Sequence, residues 1–217
     1  MSVNLCDKYR PRTFEAVCGQ DKCVKALLRL RDKGGLAGRA YWISGPGSGI
    51  GKSTIANIIA TDVAERDFIT RMDAGDLGVP ELREIEEESR YYGWGEKGGR
   101  AYIIEEAHGL KAGIVRRLKT TLEPVRPHVA WIFTTTQVGE ELLFEGTEEA
   151  SPLMDRCVKV KLTNQGLAKA GGTYVKAIAE REGLDGQDVA AYERLFKDNK
   201  NSFRAVLERV QGGAMRE

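Results

Sequence analysis

Apolar residues cluster in five short runs along the chain, at 40–44 (AYWIS), 68–72 (FITRM), 101–105 (AYIIE), 129–134 (VAWIFT) and 157–162 (CVKVKL). Each is rich in β-branched or aromatic side chains, and the central ones lack strict polar–apolar alternation. That pattern predicts strands buried on both faces. The stretches 22–33, 52–63, 80–91 and 111–122 between them predict helices. Strands alternating with helices imply parallel crossovers and a mostly parallel five-stranded α/β sheet with helices on both faces. Beyond residue 162 the character changes. No strand is expected there, and three helices are, at about 165–182, 186–197 and 202–211. Tyr174 and Ile178, and Val189, Tyr192 and Phe196, keep helical spacing. The chain therefore divides into an α/β domain over 1–162 and a small all-helical domain over 163–217.

Composition narrows the class. With 41% hydrophobic residues in 217, the chain can bury a core, which excludes a disordered or collagen-like protein. Lys and Arg total 33 against 32 Asp and Glu, so nucleic-acid contact must come from local clustering rather than bulk charge. No apolar run approaches the ~18 residues of a membrane helix, and residues 1–14 lack the apolar centre of a secretory signal. No membrane partner is expected. Cys6, Cys18, Cys23 and Cys157 form no CxxC pair, and His108 and His128 add no ligand spacing. They read as free thiols of a reducing, cytoplasmic compartment.

The 25 glycines point to tight loops, and one loop stands out. Residues 44–54 read SGPGSGIGKST, directly after the first strand and before an apolar-periodic helix. Gly45, Gly47, Gly49 and Gly51, with Pro46, Ser48 and Ile50, would let backbone N–H groups turn inward on a polyphosphate. The helix starting at Lys52 adds its positive end. Lys52 would reach the β- and γ-phosphates, the Ser53 hydroxyl would ligate Mg²⁺, and Thr54 follows. Pro46 stands where the spacing calls for the first glycine, so the loop is one residue longer than usual. The third strand ends in Glu105-Glu106, followed by Ala107-His108. An acid at this tip holds Mg²⁺ through water, here Glu105. The second, Glu106, can polarise the attacking water. His108 reads as a hydrogen-bonded loop histidine.

These pieces, in this order, resemble the clamp-loader branch of the AAA+ ATPases, that is, the replication factor C small subunit and the bacterial tau/gamma subunit. Residues 8–14 (KYRPRTF) and 17–20 (VCGQ) are similar to that branch's N-terminal signature. The resemblance places Tyr9, Arg10 and Pro11 over the adenine. Residues 118–124 (LKTTLEP) are similar to the helix after the acidic strand. Residues 131–137 (WIFTTTQ) put Thr136 at the sensor-1 position. Asp155-Arg156-Cys157 resembles the Ser-Arg-Cys box, so Arg156 inherits the role of an arginine finger reaching a neighbouring subunit's ATP site. Asn201-Ser202-Phe203-Arg204 resembles sensor 2, with Arg204 on the nucleotide. The resemblance implies ATP and Mg²⁺ as cofactors. It implies other AAA+ subunits, a sliding clamp and primer–template DNA as partners, with a place at the replisome. No residues correspond to the family's third domain, the helical collar, and no Cys cluster follows the phosphate loop.

Two helical stretches are candidates for following duplex phosphates. One carries Lys111, Arg116, Arg117 and Lys119 with no acid before Glu123, and the other carries Arg83 and Arg90 among several glutamates. Residues 142–144 (LLF), apolar in an acidic stretch, suit either a partner contact or the core. The function implied is the ATPase of a sliding-clamp loader. The alternatives are a non-catalytic stator subunit of such an assembly and a branch-migration helicase-like AAA+ motor.

Overall fold

Burial on both faces selects the central strands. β1 (Arg39–Ser44), β3 (Arg100–Glu105) and β4 (Val129–Thr135) bury every interior residue. β2 (Ile69–Asp73) and β5 (Cys157–Lys161) are partly exposed, as expected of edges. The sheet runs β2-β3-β4-β1-β5, and every pairing is parallel. The structure, a computed structural model, describes residues 4–136 and 150–216. Gln137 and the apolar 142–144 segment lie outside the described residues.

Parallel neighbours require crossovers, and helices supply them. α1 (Leu5–Lys8) and α2 (Asp21–Gly34) precede β1, and α3 (Lys52–Val63) follows it. α4 (Val79–Glu88), α5 (Ala112–Thr121) and α6 (Ala150–Asp155) precede β3, β4 and β5. One apolar cluster packs Leu27, Ile55 and Ile59 against Tyr41, Ile103 and Ile132. On the opposite face, Leu82, Ile85, Ile114 and Leu118 pack against Trp42, Tyr102 and Trp131. Three boundaries differ from expectation, one being that of the helix expected from 186, which starts at Val189. Phe68 closes a 3-10 turn instead of opening β2. The helix expected to reach residue 91 stops at Glu88, where the Ser89 hydroxyl turns back to donate to the Glu86 carbonyl.

α7 (Leu167–Arg181), α8 (Val189–Asp198) and α9 (Phe203–Gln211) form the helical unit. Asp188 and Ser202 cap α8 and α9 by accepting from backbone N–H groups. Its core holds Val175, Ile178, Tyr192, Phe196, Val206 and, from the start of the chain, Leu5. Lys8 pairs with Glu182 at 2.7 Å and the Leu5 N–H donates to the Gln211 side chain at 3.0 Å. α1 thus sits with the helical unit, whereas Phe14 lies in the α/β core. At the seam, the Gln20 amide donates to the Thr163 carbonyl at 3.0 Å and accepts from its N–H at 3.1 Å. Beside it Gly19 adopts φ +71, and a Cβ there would stand 2.5 Å from Leu167 Cδ1.

The strand register decides what meets what. Ser44 is level with Thr135 and with Lys161, and Asp73 with Glu105. The phosphate loop, the acid pair and the threonine tip of β4 therefore emerge at one edge, the carboxyl end of the sheet, where open α/β sheets bind ligands.

Candidate nucleotide site

A cleft of about 300 Å³ opens between this edge and α9. Its floor is the phosphate loop, where Gly47, Gly49 and Gly51 take left-handed backbone at φ +74, +79 and +112. Space over Gly47 is open, with nothing within 4 Å of a built Cβ. Gly45 is wedged instead between Ile50 and Leu162. A Cβ on Gly49 would come 2.1 Å from the Ser202 Oγ, and the Phe203 N–H donates to the Gly49 carbonyl at 3.0 Å. The helical unit thus braces the loop directly.

Lys52 is buried, and its ammonium donates to the Gly45 carbonyl at 3.3 Å and to that of Gly47. Burial holds its pKa below the ordinary lysine value. The left-handed glycine loop, the cation folded against it and the start of α3 at Lys52, followed by Ser53 and Thr54, suit a polyphosphate. A lysine with a depressed pKa makes the folded chain the weaker proton binder. Its cost to stability is present below the folded value and fades as pH rises towards about 10.5, its unfolded value. Lys52→Met is therefore expected to weaken ATP binding about 100-fold through lost charge-assisted hydrogen bonds. The nucleotide-free chain should meanwhile melt no lower than wild type at pH 7, with any advantage shrinking towards pH 10. Calorimetric titration and thermal melts check both halves.

The acids differ in their settings. Glu105 accepts from Arg71 at 3.2 Å, and Arg71 also reaches Asn57. Asp73, not singled out by motif, lines the cleft beside it. Among the described residues no cluster of His, Cys, Asp and Glu forms a metal cage. A cation here would rest on the Ser53 hydroxyl, phosphate oxygens and water-linked carboxylates, as Mg²⁺ commonly does. Glu106 takes left-handed backbone at φ +49, ψ +48, which is costly for a residue with a Cβ. Its Oε2 accepts from the Thr136 hydroxyl at 3.1 Å.

The other wall comes from the N-terminal segment and the helical unit. Tyr9, Arg10 and Pro11 line it, as does Arg204. Arg10 also pairs with Asp7 at 2.9 Å, and the Tyr9 hydroxyl donates to Glu182. Sequence reasoning missed Val17, Cys18, Tyr174, Phe203 and Leu207 as cleft residues. Tyr174 and Phe203 meet edge-to-face at 6.2 Å, and burial pushes the Cys18 thiol up to about 11. This apolar pocket suits a flat heteroaromatic base.

Arg156 lies elsewhere. Cys157 is level with Ala40, so Arg156 stands at the amino end of the sheet, roughly 15–20 Å of strand from the phosphate loop. There its Nε donates to Glu123 at 2.8 Å, with a second contact from the guanidinium. On α5, Arg117 forks onto Glu86, with one contact of 3.0 Å, and holds that carboxyl below its usual range. Lys111 and Arg116 are exposed, Lys119 partly so, and α5 turns its apolar side inward. Arg83 is exposed, and Arg90 pairs with Glu87 at 3.1 Å. Beyond α4, Tyr91, Tyr92 and Trp94 are 63%, 65% and 82% exposed, large apolar surface of the kind found at partner contacts.

No protein-family model matches the chain. Curated relatives do. The chain is 31% identical over 157 residues to DNA polymerase III subunit gamma of Buchnera aphidicola subsp. Schizaphis graminum, covering 62% of this chain and 42% of that protein. It is 26% identical over 216 residues to the replication factor C small subunit of Archaeoglobus fulgidus, covering 96% and 63%. With DNA polymerase III subunit tau of Bacillus subtilis it shares 30% identity, over 59% and 26%. The chain thus spans between about a quarter and just under two thirds of these relatives. Among solved structures, the Thermotoga maritima RuvB branch-migration motor superposes with a TM-score of 0.69 at 20% identity, over 94% of this chain and 64% of that one. The fold is accordingly the one seen in that motor. The resemblance drawn from the motifs is borne out by relatives that cover much of the chain. No described helix is long and apolar enough to cross a membrane.

Proposed function

We propose that the chain is the ATPase portion of a sliding-clamp loader subunit. One observation carries this reading. The phosphate loop, Glu106 and Thr136 share a cleft, while Arg156 sits too far along the sheet to serve that cleft in its own chain. Such a site is complete only when a second subunit brings its arginine, the arrangement that the resemblance of Asp155-Arg156-Cys157 to the Ser-Arg-Cys box implies.

In this reading Lys52 and the loop N–H groups hold the β- and γ-phosphates. Ser53, and Glu105 through water, would hold Mg²⁺. Tyr9, Arg10 and Pro11 join Tyr174 and Phe203 around the base, and Arg204 contacts the nucleotide from α9. Bound Mg²⁺ would offset the charge of the phosphate oxygens. Glu106 takes the proton of the attacking water, and Thr136 feels the γ-phosphate. Lys111, Arg116 and Lys119, on the exposed side of α5, supply the DNA-facing stripe, and Arg117 is engaged with Glu86. Tyr91, Tyr92 and Trp94 are assigned to the clamp.

The test is ATP hydrolysis by the chain and its partner subunits, with and without primer–template DNA and clamp. Stimulation by both is expected, and Trp94→Ala should lose the clamp's share while keeping that of DNA. Equal rates under all conditions refute the reading.

A further inference from the structure

We infer that His108 is a positioning residue for Glu106, an inference that rests on Glu106 being the base of the proposed ATPase. His108 occupies the short 3-10 turn Ala107–Gly109 that follows β3, with its ring half-buried. Its Nδ1 lies 3.4 Å from the Glu106 Oε2 and 3.2 Å from the Oγ1 of Thr135. Thr135 is fully buried at the end of β4, so the ring is referenced to a rigid strand. An ionised carboxylate offers only lone pairs, so a ring nitrogen facing it is held there when it carries hydrogen. In this inference Nδ1 carries the ring hydrogen, with the Thr135 Oγ1 as its hydrogen-bonded neighbour and Oε2 beside it.

Thr136 donates to the same oxygen. Two polar groups from different segments, the turn after β3 and the tip of β4, thus flank Oε2. No hydrogen bond among the described residues reaches Oε1, and that oxygen is left to receive the proton from water. Glu106 needs such clamping. Its backbone is left-handed and its carboxylate, at the rim of the cleft, is 44% exposed. His108 does not line the nucleotide cleft, so its influence on the reaction runs through Glu106 and leaves ATP binding alone.

The experiment compares wild type, His108→Ala and His108→Asn in the assembly that hydrolyses ATP. A base released from its geometry loses rate, and His108→Ala should lower kcat about 10–100-fold with KM for ATP unchanged. Asn places an N–H near the position of Nδ1, and should restore most of the rate. Unchanged kcat in His108→Ala, a KM rise that accounts for the loss, or no recovery with Asn overturns the inference. A second measurement does not need turnover. Nitrogen-15 spectra of the imidazole in the whole chain should report the Nδ1–H tautomer in wild type and its loss in Glu106→Ala. An Nε2–H ring in wild type overturns the inference whether or not the chain hydrolyses ATP. Absent hydrolysis with the Nδ1–H tautomer in place would instead sink the ATPase reading alone.

Discussion

Replacing Arg156 by alanine is expected to leave ATP binding intact and to lower turnover in the assembly about 1,000-fold, the scale of an arginine finger. The physical reason is the separation already given by strand register. In its own chain Arg156 is a full strand length from the phosphate loop, so its removal cannot disturb the nucleotide that chain binds. In a neighbour's site its planar, permanently charged fork would meet charge that develops only as the phosphoryl group transfers. Lys cannot reproduce that fork, and Arg156→Lys should recover little. Mixing tests the geometry further. Subunits carrying Arg156→Ala and subunits carrying Lys52→Met should regain part of their activity when combined, because each supplies what the other lacks. Full turnover by Arg156→Ala alone would show that the arginine does nothing in trans.

Glu106→Gln should cost about 10²–10⁴-fold in kcat, the contribution of a positioned general base. The amide keeps the shape and the hydrogen bond from Thr136 but cannot accept a proton from water. Nucleotide affinity should hold or rise slightly, because the carboxylate's repulsion of the γ-phosphate is gone. Single-turnover kinetics, with bound nucleotide measured separately, distinguish this from a binding defect. A variant that fails to bind ATP would reassign Glu106 from chemistry to the architecture of the loop.

Much of this molecule is legible in its residues because local and tertiary demands agree. The five strands were readable since runs such as AYWIS and VAWIFT are apolar enough for only a doubly covered sheet. Ser202 and Asp188 mark helix starts by chemistry that needs no tertiary context. The parts that were not legible depend on partners far away in the chain. α1 is four residues long, too short to signal itself, and is held by Leu5 in a core built from residues after 170. The basic stripe on α5 looked uninterrupted because the acid that occupies Arg117 comes from α4, 31 residues earlier. Tyr174 and Phe203 sit at ordinary core spacing, and only the meeting of the two units makes them the wall of a cleft. The motifs named the polar chemistry of the site, and its apolar half had no motif to carry it.

The chain passes between the α/β sheet and the helical unit twice, once at residues 10–13 and again at Thr163. A body tethered at one point can turn in any sense, whereas these two crossings and the Phe203–Gly49 hydrogen bond hold the helical unit at three. The first tether is made of Arg10 and Pro11, which also face the cleft. Whatever fills that cleft therefore lies against one of the connections that fix how the two units meet.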